Sequence, residues 1–107
     1  MIKAYDAYDA TSKYHADILS SDRIEKCLNA VSTFIVDAID EGKYRVSLNT
    51  NEVSINHYFS SKEAAMIFLR KIKSKLEDFG YECGIAEYEN TYPYLEISWL
   101  KPNPPKC

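Results

Sequence analysis

A chain of 107 residues is short enough to form one domain, and its 46% hydrophobic and 27% charged residues are typical of globular proteins. A net charge of −3 disfavours general nucleic-acid binding, which depends on a basic face that neutralises phosphates. The sequence shows no signal peptide and no apolar run of membrane-spanning length, so we expect a cytoplasmic protein.

Apolar residues recur at intervals of three and four in the first part of the chain, which predicts an amphipathic helix. Gly42 follows this stripe, where a C-terminal cap belongs. A capping box at Asp22 favours a late start, whereas the stripe itself continues backwards and favours a start near Thr11. We predict the long helix, with Ser20–Ser21 as its weakest point. The apolar stripe consists of Ile24, Leu28, Val31, Ile35, Ala38 and Ile39.

Alternating residues then predict a half-buried strand, in which Tyr44, Val46 and Leu48 face inward. The next residues, 49–51, have turn chemistry, and alternation resumes over residues 52–56. This second alternating run predicts a short additional strand, so we expect a sheet of either three or four strands.

A second helix is predicted over residues 61–79. Ser60 with Glu63 forms a capping box at its start, and Gly80 follows its end. The periodicity predicts one apolar face that packs against the sheet. That face consists of Ala65, Phe68, Leu69, Ile72, Leu76 and Phe79.

Two alternating segments separated by a turn predict a β-hairpin over residues 81–99. Its core face is expected to carry Tyr81 and Trp99 together with the aliphatic residues between them. We expect residues 94–100 to form an exposed edge strand, through which a homodimer would assemble.

The element order α-β-(β)-α-β-β predicts an α+β fold of two layers. Two amphipathic helices cover one face of a mainly antiparallel sheet of three or four strands, because each strand has one apolar and one polar side. Residues 1–100 are expected to form this single domain. Residues 101–107 contain three prolines and two lysines, which predicts a flexible tail.

Residue types with catalytic or metal-binding chemistry are scattered along the chain. Cys27, Cys83 and Cys107 lie far apart without CxxC spacing, which disfavours a disulfide framework or a zinc site. We interpret the first two as small buried hydrophobes. His15 and His57 have no neighbours in sequence that suggest acid–base or nucleophilic chemistry. We therefore predict a non-enzymatic protein without a cofactor or metal.

The polar strand positions predict an outer sheet face on which tyrosines lie beside the carboxylates of Glu82 and Glu96. Sheet-based RNA binders stack bases on such aromatics, but carboxylates on the same face repel phosphates. We therefore predict that this face either contacts a protein or is solvated. The predicted contact residues are Tyr88, Tyr92, Tyr94 and Glu96, with Tyr5 and Tyr8 as a second group.

Basic residues are concentrated on the second helix, off its apolar face. Arg70, Lys71 and Lys75, with Arg45 of the first strand, are candidates for contact with a phosphate or an acidic partner. The alternative is an ordinary solvated helix face, because lysine and arginine are good helix formers.

Three motifs stand in order: AIDEGKYRVSL at residues 38–48, FLRKIKSKLEDFGYEC at 68–83 and YLEISW at 94–99. Their layout resembles that of a group of small, functionally uncharacterised bacteriophage proteins, in which helices end in a glycine turn and in Gly-Tyr, and the chain finishes near Ile-Ser-Trp. The chain departs from this layout over residues 49–59 and in its tail. The resemblance implies a phage origin, an α/β sandwich-like domain and a place in the host cytoplasm. No functional residue carries over.

These observations together predict a phage-type accessory protein that binds a host protein without catalysis and inhibits or sequesters it. One alternative is a structural or decoration protein of the virion. Another is a protein that binds or sequesters a nucleotide, using Arg45 or the basic helix with stacked tyrosines.

Overall fold

A computed structural model describes residues 1–50, 52, 59, 61–87 and 92–101 of the chain. It shows the predicted α+β class, with helices packed on one face of an antiparallel sheet. The helices with described bounds are α1 (Ala4–Ile18), α2 (Ser21–Asp40) and α3 (Lys62–Asp78). The strands are β1 (Arg45–Asn49), β2 (Glu82–Ala86) and β3 (Tyr94–Ser98).

The predicted first helix is in fact two helices, α1 and α2, which are separated at Leu19–Ser20. Ser20 is extended, with ψ 146°, and its hydroxyl accepts a hydrogen bond from the Arg23 N–H at 3.4 Å. Ser20, rather than Asp22, is therefore the N-cap of α2. The predicted long helix is therefore interrupted at its expected weak point near Ser20–Ser21, and the helical region begins earlier than expected, at Ala4.

Two glycines end α2 and α3 as the sequence predicts. Gly42 and Gly80 have φ values of 76° and 96°, which favour a residue without a Cβ. The N–H of Lys43 donates to the Ala38 carbonyl at 2.9 Å, and that of Tyr81 donates to the Leu76 carbonyl at 3.2 Å. Both ends are therefore Schellman motifs, which turn the chain directly into β1 and β2.

The turn after β1 differs from the prediction, because Thr50 and Glu52 are helical. The Glu52 N–H donates to Asn49 Oδ1 at 2.8 Å, and the Asn49 N–H donates to Glu52 Oε1 at 3.3 Å. This reciprocal cap ends β1 and starts a helical turn, so a strand beginning at Glu52 is wrong. The rest of the predicted second strand, residues 53–56, lies outside the described residues.

The N-cap of α3 is Ser61, whose hydroxyl accepts a hydrogen bond from the Ala64 N–H at 3.1 Å. The capping box predicted for Ser60 would start the helix one residue too early. Either serine suits the sequence pattern, and the backbone geometry selects the second, whose ψ of 162° is extended.

The strand order is β1-β3-β2, and both pairings are antiparallel. β3 therefore lies at the centre, and the prediction that it forms an exposed edge is wrong. After β2 the chain turns back and places β3 between β2 and β1. β1 and β2 are therefore the two edges in the described part of the sheet. Any pairing with another chain through a strand edge would involve these two strands.

The two faces of the sheet follow the predicted alternation. Leu48, Leu95 and Ile97 are buried on the inner face, whereas Ser47 and Glu96 between them are exposed on the outer face. Tyr44 was expected inside, but it precedes the first residue of β1 and is 60% exposed. The remaining partners on the inner face, packed against the core, are Val46, Cys83 and Ile85.

The core fills the space between the inner face, α2 and α3. The most deeply buried helical residues are Cys27 and Val31 of α2, and Ala65, Phe68, Leu69 and Ile72 of α3. Two residues predicted on these apolar stripes are exposed instead: Ile39 is 54% and Phe79 is 68% exposed. Both lie at the C-terminal end of their helix, close to the glycine turn that ends it.

Candidate partner-binding surface

The outer sheet face consists of three rows of side chains that cross the strands. The strand register aligns Arg45 with Ser98 and Glu82 in the first row. The second row contains Ser47, Glu96 and Gly84, and the third contains Asn49, Tyr94 and Ala86. Glu96 lies at the centre of this face with small residues on either side, and Arg45 and Glu82 add charges of both signs, so the surface is open and mixed.

An open groove of about 840 Å³ lies on the outer face beside β1. Its floor includes Arg45, Ser47 and Glu96. Tyr44 and Leu100 also line the groove, and they are 60% and 63% exposed. An aromatic ring, an aliphatic side chain and an arginine therefore lie together around one concave surface, which we name the outer groove.

A second concavity of about 390 Å³ lies on the other side of β1, towards α2. The helix contributes Phe34, Asp37, Ala38 and Glu41 to this space, which we name the α2 crevice. Lys43 Nζ forms an ion pair with Glu41 Oε2 at 2.6 Å at its border. The outer groove and the α2 crevice share residue 43 and residues 45–47 as a common wall.

The hairpin tyrosines do not form one cluster. The Tyr92 hydroxyl donates a hydrogen bond to the Phe59 carbonyl at 3.0 Å, so this ring also connects the start of β3 to the segment before α3. Tyr94 is half-buried on the outer face, with Glu96 exposed in the next row. Tyr88, the remaining predicted contact, lies outside the described residues.

Tyr5 and Tyr8 lie on α1, where they are 80% and 74% exposed. Ile18, at the end of α1, is the only buried residue of this helix. The first turns of α1 extend from the body, which agrees with extents of 56 × 35 × 20 Å. The tyrosines of α1 therefore form a surface separate from the outer sheet face.

The predicted basic residues occupy two layers of the fold. Arg70, Lys71 and Lys75 are exposed on α3, whereas Arg45 lies on the opposite, outer side of the sheet. Lys73 forms an ion pair with Glu77 at 3.2 Å along the same helix. A single phosphate cannot contact both groups, because the sheet separates them.

Sequence reasoning missed an apolar cleft of about 330 Å³ at the C-terminal ends of α2 and α3. Ile39 and Phe79 lie at its border, and Tyr81 and Trp99 pack edge-to-face at its base with ring centroids 6.2 Å apart. The Tyr81–Trp99 contact confirms that both rings belong to the core side of the hairpin. The exposure of Ile39 and Phe79 depends on where the helices end relative to the sheet.

The two described cysteines are free thiols on the core side of the fold. Burial raises the pKa of Cys27 to about 11, although the Arg23 guanidinium opposes the rise. Burial, and then the Glu77 carboxylate, raises the pKa of Cys83 to about 12. Both thiols are therefore protonated and unreactive at neutral pH.

The described residues were also checked for side chains that could hold a metal ion and for helices that could span a membrane. No group of three or more His, Cys, Asp or Glu side chains in this part of the chain is arranged to hold a metal ion. No helix among these residues is long and apolar enough to span a bilayer.

The chain was compared with known proteins at three levels. Comparison with protein-family models, with curated proteins and with solved structures found no match. The resemblance to small phage proteins therefore stays a prediction from the layout of three motifs.

Proposed function

We propose that this chain binds a protein partner without catalysing a reaction, and that the outer groove is the centre of the contact. The observation that carries the proposal is the position of Tyr44 and Leu100, both mostly exposed, beside Arg45 and Glu96. Exposed aromatic and arginine side chains beside a concavity are typical of the residues that dominate protein interfaces.

The charges of the outer face favour a protein over a nucleic acid. Glu82 is exposed in the same row as Arg45, and Glu96 is exposed in the next row. A phosphate backbone crossing these rows would meet carboxylates as well as the arginine, and this arrangement is repulsive. A protein surface can match charges of both signs at once.

The phage resemblance extends the proposal to a mechanism. A small protein that covers a functional surface of a host protein inhibits or sequesters it by occlusion alone. Such an action requires contact area and complementarity rather than reactive groups. The outer sheet face is open and places exposed aromatic, aliphatic and charged side chains around the outer groove.

The experiment is affinity capture from a bacterial lysate with three versions of the full chain. We expect the wild type to retain a specific protein, and the double variant Tyr44→Ala, Arg45→Glu to lose it. The matched control, Tyr5→Ala with Tyr8→Ala, removes two exposed rings from α1 and should retain the partner. Equal retention by all three chains, or capture of nothing by the wild type, would contradict the proposal.

A second candidate, nucleotide binding, is favoured by one observation. Tyr44, Arg45 and Lys43 adjoin the outer groove, so one ring and two cations lie within reach of a base and a phosphate. Thermal unfolding with a panel of nucleotides tests this candidate. A ligand at a hundred times its dissociation constant adds about 2.7 kcal/mol of stability, so the absence of any shift would eliminate it.

A further inference from the structure

Within the described part of the sheet, the outer edge of β1 has backbone groups that β3 does not use. The Trp99 N–H donates to the Tyr44 carbonyl at 2.9 Å, so these two residues form a hydrogen-bonded pair. Hydrogen-bonded and non-hydrogen-bonded pairs alternate along an antiparallel ladder. Val46 and Leu48 therefore bond to β3, whereas the N–H and C=O groups of Arg45 and Ser47 point away from the sheet.

The end of β1 supports this assignment. Asn49 has the same parity as Arg45 and Ser47, so its N–H should also point away from β3. This N–H donates to the Glu52 carboxylate at 3.3 Å and not to β3, as the alternation predicts. The cap at Asn49 therefore limits the free edge to the first part of β1, next to the two concavities.

The outer groove and the α2 crevice lie on opposite sides of this edge and share residue 43 and residues 45–47. Successive side chains of an extended strand point to opposite faces of a sheet. A strand added to β1 would therefore direct alternate side chains into the outer groove and into the α2 crevice.

We propose that β1 binds an extended peptide segment of the partner protein as a fourth strand, with a lysine or arginine side chain in the α2 crevice. The proposal rests on the protein-binding function proposed above and names the form of the partner. Main-chain hydrogen bonds to Arg45 and Ser47 provide affinity, and the two concavities select the side chains.

The chemistry of the α2 crevice selects the basic residue. Phe34, Ala38 and Val46 form an apolar wall that suits the methylene stem of a long side chain. Asp37 and Glu41 contribute two carboxylates to the lining of the crevice, to which Lys43 and Arg45 also belong. Glu41 already pairs with Lys43, whereas Asp37 has no ion-pair partner among the described residues. A guanidinium or ammonium group from the peptide would supply that partner.

A second copy of the chain fits this edge less well. A symmetric dimer through β1 would place the C-terminal half of α2 next to the same half of its partner. Residues 29–41 contain Asp37, Asp40 and Glu41 and no lysine or arginine. The two acidic surfaces would repel one another, whereas a basic peptide meets complementary charge.

The test compares two variants of the full chain at Ser47. Ser47→Pro removes the N–H that points away from the sheet, whereas Ser47→Ala removes the same hydroxyl and keeps the N–H. Proline is tolerated on an edge strand when its missing N–H does not belong to the internal ladder. We therefore expect both variants to fold, which circular dichroism and thermal unfolding would check.

The probe is a displayed library of short random peptides, selected on the immobilised wild-type chain. We expect the selected peptides to alternate apolar or basic residues with polar ones, and to contain a lysine or arginine at one of the alternate positions. Such a peptide should bind Ser47→Pro about tenfold more weakly than Ser47→Ala. Amide exchange should slow at Arg45 and Ser47 on binding and stay unchanged at Cys83 and Ile85, on the opposite edge.

A second variant keeps the proposal falsifiable if Ser47→Pro does not fold. Asp37→Lys should lose the basic peptides and should bind the same sequences after their basic residue is changed to glutamate. Selection of no peptide, equal binding by the two Ser47 variants, or protection only at Cys83 and Ile85 would overturn the proposal. The sedimentation coefficient of the free chain can also be measured as a function of concentration. A coefficient that rises with concentration in the wild type but not in Ser47→Pro would overturn the proposal in favour of a second copy.

The outcome also separates this inference from the proposed function. If the captured partner is lost with Tyr44→Ala, Arg45→Glu but is kept by Ser47→Pro, the outer groove binds the partner and strand addition is wrong. If no variant affects capture, both proposals fail together.

Discussion

On β3, Leu95 and Ile97 are closed off from solvent, whereas Glu96 between them is exposed on the opposite face. The inner face packs against α2 and α3, and its side chains belong to the same hydrophobic core cluster. The outer face has the same backbone and register, but among the described residues no helix packs on it. The contrast shows that one set of strands supplies a buried core on one side and an open surface on the other.

The largest expected difference in stability is between alanine substitutions at two consecutive residues of β3. Leu95→Ala should lower the free energy of unfolding by about 2–5 kcal/mol, because it leaves a cavity in a fully buried site. Glu96→Ala should change it by no more than about 0.5 kcal/mol. Urea denaturation of both variants measures the difference, and equal losses would show that the outer face is also packed.

A smaller effect is expected where the end of β1 meets the start of β3. The buried Thr50 hydroxyl donates a hydrogen bond to the Pro93 carbonyl at 2.6 Å. Thr50→Val keeps the shape and leaves that carbonyl without its partner, so unfolding should be easier by about 1–3 kcal/mol. The control, Thr33→Val, removes an exposed hydroxyl that bonds within α2 and should have little effect. Equal stabilities of the two variants would contradict the proposed importance of the Thr50 contact.

Two glycines extend the comparison to the backbone. Gly42 ends α2 with φ 76°, so Gly42→Ala should destabilise the protein by about 1–2 kcal/mol despite the open space around it. Gly84 lies on the outer face, and a Cβ added there would meet nothing within 4 Å. Gly84→Ala should therefore be neutral or stabilise the strand by up to about 1 kcal/mol. Thermal unfolding would rank the stabilities of the two variants. A loss of stability in Gly84→Ala would mean that the outer face is more closely covered than the structure shows.

The smallest effect at neutral pH concerns the buried thiols. The pKa of Cys27 rises from 9.0 to about 11 and that of Cys83 to about 12 on folding. Because the folded pKa values are the higher ones, this contribution to stability is fully present below pH 9 and is lost as pH rises towards 11 and 12. The urea midpoint should therefore fall more steeply above pH 9 in the wild type than in a Cys27→Ala, Cys83→Ala variant. If the urea midpoints of the two proteins fell with pH in parallel, folding would not raise the pKa of these thiols.

Local patterns predicted most of the individual elements. Periodicity located α2 and α3, alternation separated the inner residues of β1 and β3 from the outer ones, and two glycines marked the helix ends. These features depend on interactions between residues that are close in sequence, so a single chain is enough to reveal them. The choice of Ser20 and Ser61 as caps was missed, because neighbouring residues satisfy the same local rule.

The candidate surface was only partly predictable. Arg45, Tyr94 and Glu96 were expected on the outer face, and the register places them there. The sequence did not indicate that Tyr44 would be exposed at the border of a groove, or that Asp37 of α2 would face the edge of β1. These relations join residues of different elements, and no local pattern records them.

The sequence by itself therefore determined the α+β class, the polar and apolar sides of the strands, and the glycine ends of α2 and α3, because hydrophobic period and backbone preference act over a few residues. Only the tertiary structure decided that β3 is central, that β1 and β2 are the edges, and that two concavities flank β1. Strand order depends on pairing between segments far apart in the chain, and its free energy comes from the packing of the whole sheet against α2 and α3. The binding edge proposed here is a consequence of that order.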